Sequence, residues 1–283
     1  MSILLDPLVV GTKLTPPRYA GATVFRSKLF ESFYVDQPLP LNTIIAPAGF
    51  GKSTLAVQWI DQLKLPVAWY SIDKEDNDPI RWMRHFIAAI HSASPEFKTS
   101  LLDELNSTSP SDISSLIPRL LNKIGGLLRP IVFVLDDYHF IQNEQIHDLL
   151  HQILTYQPVQ LSLVITSRSE LPFALSKLRT KRLIHEIDGN DLRFSFSETA
   201  EFFRQIACLD LGDDDISILE ERTEGWATGI QLAALSLKHN SNKKQFIQAF
   251  DSDDIHIMNY LTEQIINHLG EEEKSFLIKT SIL

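Results

Sequence analysis

The sequence predicts an α/β protein, a parallel sheet with helices on both faces, followed by an all-helical region. Three observations lead there. Short apolar, β-branched runs alternate with helix-period segments up to about residue 188. One of those runs feeds a glycine-bearing loop that opens a helix. From about residue 190 onward only helix patterns remain.

The elements follow in order. Leu41, Thr43, Ile44 and Ile45 form a first apolar strand. After Lys52, Leu55, Trp59 and Leu63 recur at spacing four with Ala56 and Ile60 beside them, which is one face of a helix. VAWYSI (67–72) is a second strand. Asp78-Pro79 then supplies an N-cap and a first-turn proline to a helix whose buried face is Ile80, Met83, Phe86, Ile87 and Ile90. The stretch ISSLIPRLLNKIGG predicts a helix disturbed at Pro118 and stopped by Gly125-Gly126. A strand precedes Asp136, LSLVITSR (161–168) holds another, and RLIHEID (182–188) reads as the last. Ser195-x-x-Glu198 is a capping box ahead of the apolar face Ala200, Phe203 and Ala207. Helix patterns then cover 213–223, 226–238, 243–250, 255–268 and 271–281. Asp213, Asp214 and Asp215 read as a negatively charged helix start rather than a metal site.

Residues 44–54 read IIAPAGFGKST, one residue short of the phosphate-loop pattern G-x-x-x-x-G-K-[ST], with Ala46 at its first glycine. That position closes the strand, where alanine is acceptable if φ stays negative. Gly49 and Gly51 let the backbone approach phosphate oxygens, and the loop's N–H groups face the same way as the positive end of the following helix. Lys52 is placed to reach the β- and γ-phosphates, and Ser53 to offer its hydroxyl to Mg²⁺.

Such a loop needs a carboxylate partner for the metal. PIVFVLDDYH (130–139) is an apolar run ending in Asp136 and Asp137, and a buried parallel strand would bring both to the ligand edge of the sheet. Asp136 is expected to hold Mg²⁺ through water, and Asp137 to orient or activate the attacking water. Arg168 closes the strand over 161–168, where an arginine can sense a γ-phosphate; the alternative for the bare residue is a surface arginine after a strand.

With 283 residues, 44% of them hydrophobic, the chain can bury a large core in two domains. Lys and Arg number 26 against 36 Asp and Glu, a net charge of −10 that argues against the chain itself clamping a DNA backbone. The one cysteine, Cys208, excludes an internal disulfide framework and reads as core. Neither a membrane span nor a signal peptide is evident, so a cytoplasmic location is expected. His147 and His151 stand at i, i+4, close to the zinc pattern H-E-x-x-H, but Asp148 is one methylene short and no third ligand is evident. Lys177, Arg179, Lys181 and Arg182 read as a solvated loop, with a docking surface as the alternative.

Segment by segment, LTPPR (14–18), VFR (24–26), APAGFGKSTLAVQW (46–59), WYSIDKEDND (69–78), FVLDDYH (133–139), VITSR (164–168), LRFS (192–195) and EGWATGIQLAALSL (224–237) occur in an order that resembles the MalT-like regulators. These are STAND signal-transduction ATPases ending in a LuxR-type DNA-binding domain. The resemblance implies a switch that rests as a monomer with ADP, then takes inducer and ATP and self-associates to activate promoters. It implies a nucleotide-binding set of Val24 and Arg26 on the adenine and ribose side, with Ala48, Gly49, Phe50, Gly51, Lys52, Ser53 and Thr54 around the phosphates. Asp136 and Asp137 would be the acidic pair and Arg168 the sensor. Residues 226–232 match a helical segment that often carries an adenine-side proline, where this chain has Ala227 and Thr228. The expected domains are a P-loop domain over 1–190, a helical arm over 191–269 and the start of a winged helix over 270–283. The chain would then be an N-terminal fragment that binds ATP or ADP with Mg²⁺ but neither promoter DNA nor inducer by itself.

Other readings use the same residues. A small-molecule P-loop kinase shares Lys52, Ser53 and Asp136 but usually adds an arginine-rich lid. An AAA-type remodelling ATPase needs an arginine finger acting between subunits. A pure binding module would hold ADP without turnover, and Asp137 is what separates it from a slow ATPase.

Overall fold

The computed structural model describes residues 6–19, 21–30, 38–239 and 242–249. The chain divides into two compact units. Most of Phe25–Pro47, all of Lys52–Asp191 and the N-terminal segment to Tyr19 make the first; Ala48–Gly51 and the chain from Leu192 onward, with a short stretch ending at Val24, make the second.

In the first unit, β1 (Leu41–Ile45), β2 (Val67–Ser71), β3 (Ile131–Asp136), β4 (Leu161–Ser167) and β5 (Ile184–Ile187) form one sheet in the order β2-β3-β4-β1-β5. Every pairing is parallel. Strands β3 and β4 are buried along their whole length, as continuous apolar runs in a parallel sheet should be. Alternation along β3 assigns its faces. Ile131, Phe133 and Leu135 join the large core with Trp82, Phe86 and Leu120, whereas Val132 and Val134 point the other way. Phe86 stacks on Phe133 with centroids 4.1 Å apart.

The helices are α1 (Lys52–Gln62), α2 (Pro79–Ala93), α3 (Ser100–Asn106), α4 (Ile117–Gly125), α5 (Glu144–Thr155) and the short α6 (Ser176–Thr180). Helix α1, which buries Trp59 completely, lies on β1, β3 and β4, while α2 packs on β2 and β3. Asp78 caps α2 by accepting from the Arg81 N–H at 2.7 Å, ahead of Pro79. The 113–126 stretch differs from its reading: residues Pro110–Leu116 wind as a 3-10 helix, and α4 begins beside Pro118 instead of running through it. A proline lacks an N–H to offer to a preceding turn, so the chain uses it at the start.

The second unit holds α7 (Phe196–Glu201), α8 (Asp213–Thr223), α9 (Ala227–His239) and α10 (Lys243–Ala249). Ser195 and Glu198 form the capping box, and Phe203, Ile216, Leu219, Ile230 and Leu237 form the core. After α7, Phe202–Ile206 winds as a π-helix, which displaces Cys208 from the core expected for it. Cys208 is exposed at φ 55°, and the Leu209 N–H bonds the Phe203 carbonyl at 2.8 Å around it. That is a left-handed helix terminator, and its side chain points outward. The helix patterns at 255–268 and 271–281, and the winged-helix start at 270–283, lie outside the described residues. No described helix is long and apolar enough to cross a membrane.

Candidate functional site

The register of the sheet lines up its C-terminal edge. Ile44 pairs with Thr166, Ile45 with Ser167 and Ser71 with Asp136, so the ends of four strands arrive together. Ala46 is buried and still bonded to the sheet, its N–H donating to the Ser167 carbonyl at 3.1 Å. It is absent from the positive-φ residues, whereas Gly49 and Gly51 stand at φ 78° and 83°. The missing first glycine therefore costs nothing in backbone conformation.

Lys52 opens α1 with its side chain buried and its Nζ donating to the Pro47 carbonyl at 2.9 Å. Burial brings its pKa down to about 8, an effect opposed by the Asp137 carboxylate and assisted by the Arg168 charge. The ammonium is thus desolvated and held by a single carbonyl at the mouth of the loop.

Strand β4 lies between β1 and β3, so the loop and the aspartates start from strands two spacings apart, roughly 10 Å. Side chains close that gap. Asp136 Oδ1 accepts from Ser53 Oγ at 2.8 Å and from Thr166 Oγ1 at 2.7 Å, and Thr166 Oγ1 itself accepts from the Asp137 N–H at 2.9 Å. Burial, and then the neighbouring Asp137 charge, push the Asp136 carboxyl up to about 6, against the pull of those two hydroxyls. Asp137 adopts φ 61°, ψ 43°, with its carboxylate 3.7 Å from His139 Nδ1. Burial raises its pKa also, while Lys52 and Arg168 oppose the rise.

The remaining expected residues are spread differently. Arg168 is half-buried and contributes its charge at Lys52 and Asp137. Arg26 is buried, its guanidinium donating to the Asp191 carbonyl at 3.0 Å. Val24 is buried within the second unit, as is Ala48. In that unit the loop tip meets the start of α9: Trp226 Nε1 donates to the Ala48 carbonyl at 3.1 Å, and the Gly49 carbonyl accepts from the Thr228 N–H at 3.1 Å and from Thr228 Oγ1 at 2.9 Å.

Two participants escaped the sequence reading. Thr166 was visible only as part of a polar strand end, and nothing in one sequence says which strand will sit between β1 and β3. Tyr19 lies near Thr54 with its ring still partly exposed, and burial, then the charges of both aspartates, bear on its hydroxyl and raise its pKa; the only signal was its position just after LTPPR. The two histidines part company. His147 is buried with Nδ1 2.8 Å from the Tyr138 hydroxyl, and His151 is exposed against Phe173. Among the described residues no group of three or more His, Cys, Asp or Glu side chains could hold a metal ion. A Mg²⁺ bound here would draw on Ser53 and Asp136 alone, with phosphate and water completing its shell. The hydrogen bond of 2.8 Å from the Ser53 hydroxyl to Asp136 suits this division, with Ser53 offering its oxygen to the ion and Asp136 holding it through water. In the basic stretch, α6 is a short exposed helix and Arg179 makes a bidentate pair with Glu186 at 2.7 and 2.9 Å.

A parallel sheet, a loop carrying two positive-φ glycines into a helix, and a carboxylate hydrogen-bonded to the hydroxyl after the loop lysine define an α/β protein of the P-loop class. The chain belongs to the family described as Nephrocystin 3, N-terminal, which matches residues 20–168. It is also MalT-like along nearly its whole length. It is 31% identical over 280 residues to the HTH-type transcriptional regulator MalT of Serratia proteamaculans, covering 98% of this chain and 31% of that protein. Against the same regulator of Vibrio parahaemolyticus it is 31% identical over 277 residues, 97% of this chain and 30% of that one. The chain thus spans less than a third of the length of these curated relatives. Among solved structures, Drosophila ORC bound to DNA covers 90% of this chain and 67% of its own at 15% identity and a TM-score of 0.48, too low to add to the topology.

Proposed function

We propose that this chain is the nucleotide-binding switch module of a MalT-like transcriptional regulator, holding ADP or ATP with Mg²⁺ and hydrolysing ATP slowly. The single observation that carries this reading is the pair of hydroxyls, Ser53 and Thr166, converging on Asp136 beside the buried Lys52. A buried carboxylate held part-way to neutrality by burial is poised to gain a cation, and a desolvated ammonium is poised to gain a phosphate.

In this reading the N–H groups of the loop, from Ala48 through Thr54, cradle the phosphates, and Lys52 exchanges the Pro47 carbonyl for phosphate oxygens. Ser53 and Asp136 would hold Mg²⁺, which when bound neutralises charge on the phosphates. Asp137 orients the attacking water and draws its proton; the water oxygen bonds the γ-phosphorus as the bond to the ADP oxygen breaks. Arg168 stabilises the charge on the transferred group. Val24 and Arg26 line the adenine and ribose side. The nucleotide module takes in 1–190 and the helical arm 191–269, in a cytoplasmic regulator that self-associates when activated and binds DNA through another part of the protein.

The test is to denature the purified chain, identify released nucleotide by chromatography, and repeat with Lys52→Ala. Bound ADP present in the parent and lost from the variant is the expected result. A parent that neither carries nor takes up ADP or Mg·ATP would end the nucleotide reading.

A further inference from the structure

The start of α9 does something to the loop that its helical character does not require. Three donors from two residues fall on two consecutive carbonyls: Trp226 Nε1 on Ala48, and both the N–H and Oγ1 of Thr228 on Gly49. A trans peptide unit is planar, with its carbonyl and N–H pointing in opposite directions, and there are no cis peptide bonds among the described residues. Fixing the Ala48 carbonyl therefore fixes the N–H of Gly49, and fixing the Gly49 carbonyl fixes the N–H of Phe50. We infer that Trp226 and Thr228 are positioning residues for the phosphate loop, holding those two N–H groups turned away from α9 and toward the phosphate. The inference rests on the nucleotide reading above.

The surrounding glycines are those this device demands. At Gly49 a Cβ would lie 2.6 Å from Thr228 Oγ1 and 2.8 Å from Trp226 Nε1, so the close approach excludes a side chain in addition to the φ of 78°. Gly51 has the same sign of φ but open space around it, so its glycine answers to conformation alone. At Gly229 a Cβ would sit 2.7 Å from Trp226 Cε3, so that glycine makes room for the indole. Gly225, at φ 70°, turns the chain into α9; a Cβ there would lie 2.6 Å from the Phe194 carbonyl oxygen, and its own carbonyl accepts from the Phe194 N–H at 2.8 Å. The run G-W-A-T-G is thus a mount that presents one indole N–H and one threonine to the loop. A tryptophan serving only as core would bury its ring and leave its N–H to chance. Trp226 is half-buried and points its N–H at a loop carbonyl.

The experiment compares ADP and adenosine binding by calorimetry for the parent, Trp226→Phe, Thr228→Val, Thr228→Ser and Lys52→Ala. Losing one neutral hydrogen bond is worth roughly a fivefold change. Trp226→Phe and Thr228→Val should each weaken ADP by about that factor, with adenosine unmoved and Thr228→Ser close to the parent. If both variants bind ADP as the parent does while Lys52→Ala has lost it, the positioning role is wrong. A parallel loss of ADP and adenosine would also overturn it, because a general distortion does not discriminate phosphate. If Thr228→Val does not fold, Trp226→Phe carries the same comparison. A parent that binds no ADP at all instead refutes the nucleotide reading on which the inference stands, and is told apart by Lys52→Ala then making no difference.

Discussion

Replacing Thr166 with valine keeps the shape of a fully buried side chain and removes only its hydroxyl. That hydroxyl donates to Asp136 Oδ1 and accepts from the Asp137 N–H, so one substitution breaks both bonds. A hydrogen bond to a charged acceptor contributes about 1.5–3 kcal/mol, and an orphaned buried N–H costs about 1–3 kcal/mol. Valine's extra apolar methyl offsets part of this, leaving an expected loss of about 3 kcal/mol near pH 8. The loss should depend on pH, and its sign follows from linkage. The folded Asp136 carboxyl titrates near 6, above its unfolded 3.8, so its contribution to stability is fully present below pH 3.8 and is lost as pH rises through about 6. Thr166 lowers that folded value; without it the carboxyl rises further, and the variant goes on losing stability at pH values where the parent has levelled off. Urea unfolding at pH 5 and pH 8 should therefore give a penalty larger at pH 8 by on the order of 1 kcal/mol, the worth of a charge-assisted over a neutral bond. An equal penalty at both pH values, or one below about 0.5 kcal/mol, would refute the bridging role given to Thr166.

On the function proposed above, the same carboxyl governs Mg²⁺ binding. Mg²⁺-dependent enhancement of nucleotide affinity should be steady above pH 7 and fall up to tenfold per unit as pH drops below about 6, where Asp136 protonates; titration calorimetry of ADP with and without Mg²⁺ reads it, and an enhancement unchanged at pH 5 would remove Asp136 from the metal site. Asp137→Ala should retain ATP and hydrolyse it at least tenfold more slowly in a phosphate-release assay, and a parental rate would assign water activation elsewhere.

What could be read from the sequence divides along a physical line. The strand–loop–helix around Lys52 and the apolar run into Asp136 are local: periodicity and the residue types at fixed spacing specify them, and the structure matches both. Thr166 joins the site only through tertiary placement, β4 inserting between β1 and β3, and Tyr19 comes near Thr54 only as the N-terminal segment folds back. Neither event leaves a trace in the spacing of residues. Cys208 was misread for a third reason. Its apolar neighbours fit a helix face, but one π-helical turn shifts the phase, and the residue that period 3.6 would bury becomes the terminator.

Ala46 shows how such a site can depart from its usual pattern. A glycine is needed where φ must be positive or where another group approaches too closely for a Cβ. Ala46 meets neither condition: it continues the β1 ladder to Ser167 and is packed inside, so its methyl fills space a glycine would leave empty. Gly49 meets both, because Trp226 and Thr228 press on the loop from the side of α9, and Gly51 meets the first. Of the pattern's two glycines only the second, Gly51, answers a physical requirement in this chain; Gly49, at a position the pattern leaves open, answers another, and both fall inside the loop. The residue before it answers to the strand, which is why alanine there leaves both glycines and the lysine free to form the loop's curve.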